Sequence, residues 1–379
     1  VSAPLRRIGI SGTGFIARQL IRALVRTSDL AAGPVLTRRP ANAHADFPVP
    51  ESLTSSVRQL VENCELVVEC SGDPRVATEV VTEAFSHGLP VVTMNTEFHV
   101  TQGSAFVDRG YLSEAEGDQP GSIAALAEDA AQMGFDVLVY GNLKGFLNHH
   151  PSESEMAYWG QKQGISLAQV TAFTDGTKLQ MEQALVANGS GATLLRRGMA
   201  GLSGPDRLEA AQELGRLATG LGRPVADYLI GSGYPPGVFL VAGTDRQEAE
   251  ALRYMKMGPG PCYVLERPFH FCALEIPKTI RRAFRGEPPL LNNGRKPAIN
   301  VLAVAKRDLR AGERIARGMG GFDLRGEAAM AADFPGHVPI GAVFDAMLAR
   351  DVPAGESLRW DDIELPDDPA CRIARMLFP

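Results

Sequence analysis

Leu5-Arg6-Arg7-Ile8-Gly9-Ile10 leads into Gly12-Thr13-Gly14-Phe15-Ile16-Ala17, and the order strand, tight turn, helix read from these residues decides the fold. The first segment ends in apolar residues, as a buried parallel strand does. The second fits G-x-G-x-x-A. Beyond it, Phe15, Ile16, Leu20, Ile21, Leu24 and Val25 keep one side of a helix apolar. The small residues each do something physical. Gly12 permits the tight turn, Gly14 lets backbone approach a pyrophosphate, and Ala17 lets helix pack closely on strand. The helix start attracts the anion. Glycine-rich turns are common, so the motif counts only because a strand precedes it and a helix follows. Gly12, Thr13, Gly14, Phe15 and Ile16 are therefore expected to line a nucleotide site.

Outward from this turn the alternation continues. Val35-Leu36-Thr37 and Leu66-Val67-Val68-Glu69-Cys70 read as strands. A helix over 74–87 has proline in its first turn and is closed by Gly88. Pro90-Val91-Val92-Thr93-Met94 is another buried strand, 123–133 a helix, and Val137-Leu138-Val139-Tyr140 a further strand. Strands alternating with helices give an α/β class, a doubly wound parallel sheet of Rossmann type, expected over 1–145. In this fold a carboxylate about 20 residues past the glycines binds the ribose hydroxyls of NAD. Here the second strand ends in Thr37-Arg38-Arg39. Two guanidiniums suit the extra phosphate of NADP(H), preferred over NAD, the alternative being a solvated surface pair. Ser71-Gly72-Asp73-Pro74 and Asn95-Thr96-Glu97 also follow strands, so Ser71, Gly72 and Asn95 are expected beside the nicotinamide. Otherwise they are ordinary turns.

Three later stretches carry candidate chemistry. Gly141-Asn142-Leu143-Lys144-Gly145 lies past a strand end, with His149-His150 beyond. Phe173-Thr174-Asp175-Gly176-Thr177-Lys178 opens a helix, and the spacing of Thr177 and Gln180 suggests a capping box. Lys178 and Glu182 then sit one turn apart. A lysine in such apolar company can pass a proton to a reacting oxygen. Lys178 is the candidate proton donor, with Lys144 the alternative. Asp175, Glu97 and Glu182 are candidates to orient a lysine or bind a metal. The third stretch runs from Lys256 through Gly258-Pro259-Gly260-Pro261 to Arg267 and His270, and Lys256, Arg267 and His270 could hold an anionic substrate. Adjacent histidines without companion ligands do not suggest structural zinc. A divalent ion such as Mg or Mn, held by carboxylates and substrate, stays open.

Near the end, Arg307-Asp308-Leu309-Arg310-Ala311-Gly312-Glu313-Arg314-Ile315 recurs as Arg350-Asp351-Val352-Pro353-Ala354-Gly355-Glu356-Ser357-Leu358. The Pro/Gly/Asn-rich run 287–297 reads as a linker, placing a small, self-contained β-rich domain over 298–379. The segment 146–297 is left as a middle domain.

Composition bounds the function. A length of 379 residues implies two or three domains. A net charge of -6, without a long basic run, argues against nucleic-acid or anionic-membrane partners. No apolar run has the roughly 18 residues of a membrane span. The stretch Val1 to Arg7 lacks the apolar core of a secretory signal. The five cysteines form no CxxC pair, so reduced thiols and a cytoplasmic location are expected.

The segment 301–363 resembles an SAF domain, the β-clip module also found in sialic acid synthases and antifreeze-like proteins. The preceding residues resemble homoserine-dehydrogenase-like oxidoreductases that carry such a module. The matching motifs are Gly12 to Ala17, Phe173 to Lys178, and Met257 to Glu275. The resemblance implies a Rossmann domain, a nicotinamide cofactor, a middle α+β domain for substrate and dimerisation, and a homodimer. One branch is the deoxyxylulose phosphate reductoisomerase-like proteins, which use NADPH and a divalent metal to rearrange and reduce a sugar phosphate. The expectation is an NADP(H)-dependent oxidoreductase of a small, phosphorylated or sugar-like carbonyl compound. Its alternatives are a reductoisomerase and a non-catalytic sensor of nucleotide or carbohydrate.

Overall fold

The computed structural model describes residues 5–40 and 46–379; Val1 to Pro4, part of the stretch weighed as a signal, lie outside the described residues. The chain divides into two units, Val1–Gly121 with Phe271–Arg295, and Ser122–His270 with Lys296–Pro379.

The first unit holds six parallel strands: β1 (Arg6–Ser11), β2 (Leu30–Leu36), β3 (Leu53–Thr54), β4 (Leu66–Glu69), β5 (Val91–Thr93) and β6 (Leu112–Glu114). Their order is β3-β2-β1-β4-β5-β6, which reverses direction between β1 and β4. Ligands bind beyond the carboxyl ends of the strands at such a reversal. Helix α1 (Phe15–Leu24) turns Ala17, Leu20, Ile21 and Leu24 onto Ile8, Ile10, Val35 and Val68. After α2 (Val57–Glu62), helix α3 (Pro74–Ser86) starts at an Asp73 carboxylate that accepts the amides of Arg75 and Val76. That cap and the N-terminal proline are the start signals read from the sequence. Helix α4 (Thr96–Thr101) is buried along its whole length.

The run 287–297 is not a free linker. The helix Ile276–Phe284 returns to the first unit and buries Ile276 and Ile280 in its core. Arg281 clamps Asp29 with two bonds of 2.7 and 2.8 Å. The chain beyond is tied along β6: the Glu114 amide donates to the Leu291 carbonyl at 2.7 Å, and the Leu290 amide to Ser113 Oγ at 2.9 Å. Buried Asn293 bonds the Val100 carbonyl and Ser104. Proline and asparagine here serve a strap with its own partners.

The second unit begins within helix α5 (Gln119–Gln132). Its mixed sheet contains β7 (Asp136–Lys144), β8 (Leu202–Ser203), β9 (Val225–Ile230), β10 (Val238–Gly243) and β11 (Cys262–Arg267), in the order β11-β10-β7-β9-β8. Val137 to Tyr140 therefore belong to this sheet, so the expected boundary at residue 145 is too late. Along β7 the side chains alternate. Val139 and Leu143 pack with Leu214 and Ala218 of the helix Arg207–Leu221, while Asn142 faces the helix Thr177–Ser190.

The C-terminal part is β-rich, as expected, with a pair Ile299–Ala305 and Leu324–Met330 and a three-stranded sheet of Arg314–Arg317, Phe344–Leu348 and Ile363–Glu364. Its two sequence repeats cap one another. Asp351 accepts the Ala311 amide and Asp308 the Ala354 amide, both at 2.9 Å, and Leu309 and Val352 exchange two backbone bonds. A pseudo-twofold axis thus relates the copies. The tail is nevertheless not self-contained, because the helix Thr177–Ser190 is bonded to it from end to end. Gly326 N donates to Thr177 Oγ1 at 2.9 Å and Ala328 N to Gln180 Oε1 at 2.8 Å. Asn188 exchanges two bonds with the backbone of Ile299. Burial on both sides explains why this helix shows no apolar stripe. It also overturns the capping box: Gly176 is the N-cap, in the left-handed conformation, Thr177 spends its side chain on the tail, and Gln180 bridges the tail and the Gly198 carbonyl. Among the described residues no helix is long and apolar enough to cross a membrane.

Candidate active site

In the first unit the glycine turn has the shape its sequence implies. Gly12 adopts φ +114°, and a Cβ there would stand 3.0 Å from the Cys70 carbonyl oxygen and Ser71 Cα, so glycine is required. A Cβ on Gly14 would meet nothing within 4 Å, which leaves the approach to the start of α1 open. Gly14 is the N-cap, no side chain caps α1, and its first turn has no acidic residue. Open backbone donors at a helix start fit a pyrophosphate. Thr13 is buried, Ile16 half-buried and Phe15 exposed.

At the tip of β2, Arg38 and Arg39 are exposed, and no carboxylate stands in Thr37-Arg38-Arg39. Arg38 is paired with Glu79 of α3, a partner that nothing in the local sequence announces. Gly72 has φ +70° with open space where a Cβ would be. Ser71 N and Ser11 Oγ both reach one oxygen of Glu69, at 2.9 and 3.4 Å. Asn95 caps α4 by accepting the Phe98 amide at 3.0 Å. Glu97 is buried in the first turn of α4.

Glu69 is absent from the residues expected at the site, although it ends a strand at the sheet reversal. It is fully buried, and loss of hydration pushes its carboxyl up to about 7 against the opposing bonds from Ser71, Asn95 and Ser11. An unfolded glutamate titrates near 4.5, so folding is favoured below that pH and the contribution is lost as pH rises towards 7. The shift corresponds to about 3 kcal/mol. Glu69→Gln should therefore gain about that much stability relative to the parent between pH 4.5 and 7. Denaturant melts of both proteins across this range test it, and a pH-independent difference would refute it. Also unforeseen is the fully buried pair His99 and Glu114, 2.9 Å apart. Burial drives the imidazole down to about 3, so it is neutral, and Nδ1–H donates to the carboxylate.

The second unit brings together the other candidates around the helix Thr177–Ser190. Lys178 and Glu182 are both buried and, four residues apart, share a face. Glu182 Oε2 accepts Asn142 Nδ2 at 2.9 Å and Lys144 Nζ at 3.3 Å. Strand β7 thus delivers Lys144 to a carboxylate already fixed by an amide. Asp175, expected to orient a lysine or bind a metal, receives Lys306 of the tail at 2.6 Å, while its other oxygen accepts the Thr177 amide at 2.9 Å. Burial raises the Asp175 pKa and Lys306 opposes the rise. His149 Nδ1 bonds the Asp175 carbonyl, and His150 is exposed.

The anionic-group candidates separate. Register places Arg267 opposite Val238 and Val238 opposite Asn142, so Arg267 stands at the Lys144 end of the sheet. Lys256 precedes Cys262, the opposite end of β11, which lies about 17 Å from Arg267 along the strand. That end carries a cleft of about 320 Å³ lined by Thr244, Asp245, Pro259, Pro261 and Tyr263. His270 is half-buried just past Arg267. Among the described residues no group of three or more His, Cys, Asp or Glu side chains could hold a metal ion.

Comparison with known families gives three matches along the chain. Residues 12–106 match the homoserine dehydrogenase NAD-binding domain, 117–276 the catalytic domain of oxidoreductase DRL, and 301–364 the SAF domain. No curated protein matches. Similar solved structures include a probable dehydrogenase from Thermotoga maritima, 14% identical, covering 76% of this chain and 91% of that one, with a TM-score of 0.44. A UDP-N-acetylglucosamine 3-dehydrogenase from Acidithiobacillus ferrooxidans is 10% identical over 77% and 93%, also with a TM-score of 0.44. With these three domains in sequence, the chain is an NAD(P)-dependent oxidoreductase composed of a homoserine dehydrogenase-type NAD-binding domain, a DRL-type catalytic domain and an SAF domain.

Proposed function

We propose that the chain interconverts a small hydroxylated and carbonyl compound using NADP(H), with Lys178 moving the proton and Lys144 as the alternative. The observation that carries the cofactor choice is the tip of β2, where Thr37-Arg38-Arg39 exposes two arginines and supplies no carboxylate of its own, the nearby Glu79 of α3 being paired with Arg38. Gly12, Gly14 and the uncapped start of α1 would hold the pyrophosphate, and Arg38 and Arg39 the additional phosphate. NADP(H), when bound, supplies or accepts the hydride. On reduction, a lysine ammonium gives its proton to the oxygen on which charge develops; in the reverse direction the neutral amine takes it. Glu182, held by Asn142, keeps Lys144 in place. Arg267 at the same end of the sheet suits a phosphate or other anionic group on a sugar-like substrate. A homodimer, implied by the family resemblance, belongs to the same reading.

Replacing Arg38 and Arg39 by Ala is expected to weaken NADPH much more than NADH. Each lost guanidinium–phosphate bond is worth roughly 1.5–3 kcal/mol, about tenfold or more in affinity. Fluorescence titration of both cofactors reads this directly, and equal losses would remove the phosphate-binding role. A panel of sugar phosphates assayed for NADPH oxidation tests the substrate class.

A further inference from the structure

We propose that Lys306, on the C-terminal segment, is a positioning residue that holds Lys178 in place through Asp175. The inference rests on the reading of Lys178 given above. Lys306 Nζ is held at 2.6 Å by Asp175 Oδ2 and at 2.9 Å by the Gly321 carbonyl, and the pair is almost wholly removed from solvent. The other oxygen of Asp175 accepts the amide of Thr177, the residue before Lys178. Gly176 is the N-cap and offers no side chain, so Asp175 fixes the first turn of the helix. From the tail, Gly326 N grips Thr177 Oγ1. The turn that carries Lys178 is thus held on two sides by residues more than a hundred positions away.

The repeat supplies an internal comparison. Lys306 immediately precedes the first copy, and the residue preceding the second is Ala349, which is exposed. The scaffold closes its turn with alanine there, so the turn itself does not demand a lysine. Lys306 is the departure from symmetry, and its ammonium is aimed at Asp175. A buried carboxylate without a partner is strongly disfavoured, so Asp175 depends on Lys306 to keep its place beside the Thr177 amide.

The test uses the full chain and needs no substrate. Trace labelling with acetic anhydride, followed by peptide mass spectrometry, measures the reactivity of each lysine in the folded protein. Lys306→Met keeps the stem and removes the charge. Labelling of Lys178 should accelerate about tenfold as its turn opens locally, while Lys144, on β7, is unchanged. A uniform rise at both lysines, or no change at Lys178, would overturn the proposal. If Lys306→Met does not fold, Lys306→Gln, which keeps a hydrogen-bond donor but removes the charge, should show the same selective rise; its absence overturns the proposal equally. Turnover of a Lys178 variant bears on the catalytic reading alone, so the two can fail separately.

Discussion

A chain ending at Pro297 is expected to lose the fold of its second unit while the first continues to bind NADPH. The truncation removes Lys306 from buried Asp175, a loss of about 3–5 kcal/mol when one member of a buried pair goes. It also strands Thr177, Gln180 and Asn188, at about 1–3 kcal/mol for each buried polar group left without its partner. Together these approach the whole margin of about 5–15 kcal/mol that separates folded from unfolded domains. The glycine turn, its sheet and the strap through Asn293 all lie upstream of the cut. Limited proteolysis should cut first within 122–270, and NADPH titration should give near-parental affinity. Protease resistance through the helix Thr177–Ser190 in the shortened chain would show that the contacts to the tail are dispensable.

Lys178→Met is expected to lower turnover by roughly 100-fold or more, the usual scale for losing a general acid or base. Methionine nearly preserves length and the apolar stem, so the buried helix keeps its packing. NADPH affinity should hold, because the glycine turn belongs to the other unit. Steady-state rates on whichever carbonyl substrate oxidises NADPH measure this. Lys144→Met, assayed beside it, decides between the two lysines: parental turnover in Lys178→Met with loss in Lys144→Met would transfer the proton to Lys144.

Features written in neighbouring residues are legible. Gly12 to Ala17 announce the dinucleotide turn because strand, turn and helix are contiguous, and Asp73-Pro74 announces α3 for the same reason. Strand β7 reads as part of the wrong sheet because a buried strand after a helix looks alike in any α/β context. Its partners, Val225–Ile230 and Val238–Gly243, lie 80 or more residues downstream. Thr177 and Gln180 have the spacing of a local cap and are taken up by a distant strand. Most of all, Asp175 can be recognised as a charge needing a partner, but its partner is 131 residues further on. No periodicity carries such a pairing.

The dependence of the helix Thr177–Ser190 on the tail has a consequence during synthesis. At about 5–20 residues per second, roughly seven to thirty seconds pass between Ser190 and Met330 leaving the ribosome. Once Arg267 has emerged the helix can pack against its own mixed sheet, but the strands that cover its other side are still to come. Its waiting surface carries Thr177, Gln180 and Asn188 as well as apolar groups. Side chains that water can satisfy until the tail arrives give the nascent chain less to stick to than an apolar stripe would.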